Sequence, residues 1–150
     1  MTDPSGGRTL LASLVAAEHT RLHALVREAS TRTPTPGVRS GLGHQLADAV
    51  LAHEIAEQRV VEPALRWMLG DETAARVRST TEQLRDRAHQ RPSETDDIDD
   101  WLQSMRDALD AHCRMLDDEL LPRLASLDRD AMATLGYRFA EALDVTGQRR

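Results

Sequence analysis

His53-Glu54-Ile55-Ala56-Glu57, continued by Val60-Val61-Glu62-Pro63-Ala64-Leu65, is the stretch that decides how this chain folds. It has a counterpart in the second half: His112-Cys113-Arg114-Met115-Leu116-Asp117, continued by Leu120-Leu121-Pro122-Arg123-Leu124. Each phrase has a histidine, a carboxylate about one helical turn later, and a proline-leucine element at the same offset beyond. Both histidines fall on the apolar stripe of a helix. A polar group buried there needs a partner, and a metal ion is one good partner.

Working outward, the same helical spacing covers most of the chain. The spacing predicts a first helix from about Thr9 to Ser30, with Leu11, Val15, Leu22, Leu25 and Val26 on one stripe. Thr31 to Ser40, with Pro34, Pro36 and Gly37, reads as a connection. A second helix is expected from Leu42 towards Trp67 on the stripe Leu42, Leu46, Val50, His53, Glu57, Val60 and Ala64. Pro63 is expected to kink it or end its regular part, because proline removes a backbone donor. Gly70 and Asp71 read as a stop followed by a new N-cap.

A third, more polar helix is expected over Glu72 to Gln90 on Val77, Thr81, Leu84 and Ala88. Arg91 to Asp97 reads as a connection. The fourth helix has the clearest stripe: Ile98, Trp101 or Leu102, Met105, Leu109, His112, Leu116 and Leu120, with Pro122 as the stop. Asp128 is placed to cap a short fifth helix through Met132, Leu135, Phe139 and Leu143. The expected fold is all-α: an antiparallel up-down-up-down four-helix bundle with a short C-terminal fifth helix across one end. Residues 9–145 form the domain, between tails 1–8 and 146–150.

Composition agrees. The 150 residues are 40% apolar, 29% charged and 3% aromatic, which suits one helical domain with its own core. A net charge of −6 argues against nucleic acid as a partner. The single cysteine, Cys113, excludes an internal disulfide framework and reads as packed rather than reactive. With no membrane-length apolar run and no signal-type leader, a cytoplasmic protein is the expectation.

Three histidines, His19, His53 and His112, fall at mid-helix, where inward groups of a bundle meet near one level. Glu57 lies one turn beyond His53, so both reach the same point. Asp117 follows His112 by five residues and is rotated somewhat off its stripe, from where it can still reach the interior from the flank. His23 shares the face of His19, whereas His44 and His89 read as surface residues. A lone inward histidine is more often a hydrogen-bonded core residue than a ligand. Three at one level beside a glutamate favour metal ligation. No phosphate-cradling loop, dinucleotide motif or Ser-His-Asp pattern is present, so no catalytic residue is assigned, and any catalysis rests on the metal.

Taken together, Glu18-His19 with Leu22 and Leu25, the His53-to-Pro63 phrase, the His112-to-Pro122 phrase and the closing segment Asp128 to Leu143 resemble the hemerythrin-like (HHE cation-binding) family. The resemblance implies a four-helix bundle with two carboxylate-bridged non-haem irons. Its members carry or sense dioxygen, store iron, decompose peroxide or respond to nitric oxide. By resemblance, His19, His53, Glu57 and His112 are metal ligands, and Asp117 is a second bridge. The family expects histidine in the third helix, where this chain has Val77, Thr80, Thr81 and Glu82. Glu82 or His23 is the candidate replacement. One or two non-haem irons are expected, with manganese or zinc also compatible with the donors. The alternative is a metal-free bundle acting as a protein-interaction module.

Overall fold

A computed structural model describes residues 10–31, 35–92, 98–126 and 129–145. The described residues are helical almost throughout, and no strand occurs among them. The expected tails 1–8 and 146–150 and the Asp128 cap lie outside the described residues. So do 32–34 and 93–97 of the two connections. The elements are α1 (Leu10–Ser30), α2 (Pro36–Ala56), α3 (Glu62–Leu69), α4 (Asp71–His89), α5 (Ile98–Cys113), α6 (Leu121–Ala125) and α7 (Arg129–Val145). α1 packs against α2, α5 and α7, and α4 against α2, α3 and α5.

Three departures from the expected elements have simple causes. α2 begins at Pro36, inside the expected connection. A proline in the first turn loses nothing there, since its missing N–H would have no helical partner. Neither Pro63 nor Pro122 stops its helix. A π-helical stretch, Glu57–Val61, joins α2 to α3, and a second, Arg114–Leu120, joins α5 to α6. Within them hydrogen bonding shifts to i→i+5: the Glu62 N–H bonds the Glu57 carbonyl, and the Leu121 N–H bonds that of Leu116. The ladder is re-registered just before each proline, and the helix continues. The closing helix is not short. α7 runs for 17 residues, because Met132, Phe139 and Leu143 give it a buried stripe along most of its length.

The stripes are otherwise placed as the periodicity predicts. Gly70, at φ +98°, ends α3 and itself precedes α4; Asp71 is the first helical residue rather than the cap. α4 carries little apolar surface, but ion pairs tie it to the α2–α3 segment: Arg85 to Glu54 at 3.5 Å and Arg78 to Glu62 at 2.5 Å. His44, expected at the surface, is half-buried beside Arg91.

The apolar core is in two parts. One holds Leu22, Leu46, Val50, Leu84, Met105 and Leu109; the other holds Val15, Ala56, Val77, Leu116 and Phe139. Along each of the four long segments a polar residue stands at the junction: His19 after Val15, His53 after Val50, Thr81 after Val77, His112 after Leu109. A polar layer therefore crosses the bundle between two apolar halves. No helix among the described residues is long and apolar enough to cross a membrane.

Candidate metal centre

The ligating part of the polar layer is built from α1, α2 with its π turn, and α5. His19, His53, Glu57 and His112 are each no more than 2% exposed. One ligand atom from each lies within 4.8 Å of all the others. His53 Nε2 is 2.7 Å from Glu57 Oε1, and His19 Nε2 is 3.1 Å from His53 Nε2 and 3.3 Å from the same carboxylate oxygen. His112 Nε2 stands 2.7 Å from the other oxygen, Glu57 Oε2. The i,i+4 spacing of His53 and Glu57 aims both side chains at one point, as the sequence implied.

Partners behind the rings determine which nitrogen faces inward. The Thr80 hydroxyl donates to the Val77 carbonyl at 2.9 Å, so its oxygen is left to accept the Nδ1–H of His112, also at 2.9 Å. The hydrogen of the neutral ring is thereby held on Nδ1, and Nε2 carries a lone pair. His19 Nδ1–H donates to Asp117 Oδ2 at 2.7 Å, which turns its Nε2 inward too. His53 Nδ1 has Glu18 Oε2 at 3.9 Å, beyond hydrogen-bond reach. Outer partners that fix the ring and tautomer are what metal-binding histidines require. The Phe139 ring stands edge-on to His53, with centroids 6.0 Å apart, and closes that side with apolar surface.

Two donor atoms expose the electrostatics. Glu57 Oε2 and His112 Nε2 are buried and 2.7 Å apart, yet neither makes a hydrogen bond. Buried acceptors at this distance without a shared hydrogen are stabilised by a cation between the surrounding donors. The residues present therefore fit a metal ion of the type bound by imidazole and carboxylate.

Without such an ion, protons take its role. Burial disfavours a charge on His19, but the bond to Asp117, with Cys113 and Glu57 adding to it, pushes its pKa up to about 12. Burial also acts against the Glu57 carboxylate, yet the imidazoles of His112 and His53 hold it well below the usual range. His53 is lowered, chiefly by burial. Burial raises the Cys113 thiol, so it stays protonated beside His19.

The other expected site residues are distributed as follows. Asp117 reaches the cluster from behind His19. It is a quarter exposed and lines a cleft of about 330 Å³ with His23, Asp110 and Asp118. His23 lies outside the cluster, 3.6 Å from Asp110. Glu82 is exposed on α4. Thr81 is buried and donates its hydroxyl to the Val77 carbonyl at 2.7 Å, so α4 contributes no nitrogen donor. Cys113, which reads from the sequence as packed, falls within reach of both His19 and Asp117. Sequence reasoning passed over Thr80, whose importance depends on the ring it meets across the bundle.

The fold and donor set together are those of a cation-binding helical bundle. Comparison with known families is specific: the chain belongs to the hemerythrin HHE cation binding domain family, whose profile matches residues 10–124. Comparison with curated proteins and with solved structures gives no match.

Proposed function

We propose that this chain binds one non-haem iron ion through His19, His53, His112 and Glu57, and that the loaded centre binds or senses dioxygen, peroxide or nitric oxide. The observation that carries the reading is the convergence of three imidazole Nε2 atoms on one buried carboxylate, with Glu57 Oε2 and His112 Nε2 unbonded at 2.7 Å. A bound iron supplies redox chemistry and an open position for a small ligand. The chain does the rest: Asp117 and Thr80 orient two of the rings, and the apolar halves with Phe139 keep bulk water out. The cleft beside Asp117 is the side from which a small ligand or proton reaches the layer.

One ion rather than two follows from α4. A second metal next to His112 would lack the nitrogen donors that Thr80 and Thr81 replace, and hydroxyls are poor iron ligands beside imidazole. The reading takes the four long segments to run alternately up and down, as short connections and the packing of sequence neighbours support. It places the protein in the cytoplasm, without nucleic acid or membrane as partner.

Elemental analysis of protein expressed in iron-rich medium, with a visible spectrum of the same sample, tests the proposal. Close to one iron per chain, lost in His53→Ala, is the expected result. Two irons would overturn the single-ion reading, and manganese or zinc in its place would overturn the choice of iron. No metal, even after anaerobic reconstitution with ferrous iron, would leave the bundle as a metal-free interaction module.

A further inference from the structure

A second cavity, of about 360 Å³, lies between α3 and α7 and outside the metal layer. Its size is at the lower end of small-molecule sites, roughly 300–1,000 Å³. Val60, Ala64 and Leu135 give it an apolar lining. Trp67 also lines it, and is 80% exposed. An indole in water beside an apolar cleft offers a large, stiff surface to a ligand.

Two arginines supply the charged part of the lining, and Thr134 adds a hydroxyl. Arg59 belongs to the first π turn, and Arg138 adjoins Phe139, whose ring lies against His53. Both residues are therefore rooted near the level of that turn, whereas Trp67 lies two turns further along the same helical segment. Arg66, Arg76, Arg78, Arg85 and Arg91 are paired with carboxylates. Arg59 and Arg138 have no ion-pair partner among the described residues, although the chain carries a net charge of −6. Two unpaired guanidinium groups at one end of an apolar trough complement a ligand with the same asymmetry.

We propose that this cleft binds a small amphiphilic carboxylate, with its head between Arg59 and Arg138 and its apolar body along Trp67. The site is separate from the metal donors, so the inference stands whether or not iron is bound.

The test is a titration of the full chain with octanoate, followed by tryptophan emission and by calorimetry. Trp101 is buried, so a blue shift on binding reports Trp67, and Trp67→Phe removes it. The expected result is saturable binding, weakened about tenfold by Arg59→Ala and again by Arg138→Ala, the loss of one charge-assisted hydrogen bond each. Both arginines are exposed, so unchanged melting of the variants separates lost binding from lost folding. Octan-1-ol is expected to bind at least tenfold more weakly. Absence of saturable binding, equal affinity for the alcohol, or arginine variants that bind normally would overturn the proposal. An acidic, apolar peptide that binds where octanoate does not would overturn the assignment to a small molecule.

Discussion

Replacing Thr80 by valine keeps the side chain's size and removes only its hydroxyl. That hydroxyl is 2.9 Å from His112 Nδ1, and the ring is fully buried. A stranded buried N–H costs about 1–3 kcal/mol. The ring has one escape. Moving its hydrogen to Nε2 directs it at Glu57 Oε2, 2.7 Å away. This tautomer recovers part of the loss in the metal-free chain, but it removes the lone pair a metal needs. The two readouts therefore separate. Metal-free stability is expected to fall by less than the full penalty, a few degrees of melting temperature for a chain of this size. Metal affinity is expected to fall about 10- to 100-fold, as for loss of an outer partner in other sites. Thermal unfolding of metal-free protein measures the first, and chelator competition the second. Thr80→Ser, which keeps the hydroxyl, should restore affinity. Equal affinities for the valine and serine variants would refute the argument that Thr80 sets the tautomer.

Glu57→Gln keeps the shape and removes the charge shared by three imidazoles, so bound metal is expected to fall below about a tenth of the parent's on elemental analysis. Phe139→Ala opens a fully buried site, and a loss of about 3–5 kcal/mol in chemical denaturation is expected; a loss under about 1 kcal/mol would mean the ring does not pack as described. The metal-free chain should have an asymmetric pH profile in urea unfolding. Glu57 titrates well below its ordinary value, so the stability it adds is present above about 4.5 and is lost as pH falls through the folded value. His19 is raised, so its contribution is complete below about 6.5 and declines as pH climbs towards about 12. These two groups place the optimum between those limits, and bound metal, which needs His19 deprotonated, should shift it to higher pH. A metal-free profile that stays flat on the alkaline side would contradict the His19 assignment.

The stripes and the His53–Glu57 pair were legible because burial follows the helical period, and a histidine with a glutamate one turn on can only point one way. Pattern reading assumes one period throughout, and the two π turns depart from it. The sequence places Asp117 somewhat off the stripe of His112, five residues earlier, yet able to reach the interior from the flank. In the second π turn residues five apart come close to one line, so Asp117 swings round to meet His19. The same change of register carries both helices past Pro63, where the sequence presented a kink or an end of the regular part, and past Pro122, which it presented as a stop. Thr80 was illegible for another reason. Its role comes from a hydrogen bond across 32 residues, which no local pattern encodes.

The division of the core bears on how the chain opens. Both apolar halves draw on the same long helical segments, so backbone hydrogen bonds run continuously from one to the other. Lateral cohesion is different: at the junction it depends on the His–Glu cluster with the Thr80–His112 and His19–Asp117 hydrogen bonds, and α7 adds weight to one half only. Without a cation the junction is a seam, and the half that lacks α7 can breathe as its own exchange unit. Loading the layer stitches the seam, so amides in both halves should exchange through one shared opening, and cooperativity as well as stability becomes a property conferred by the ion.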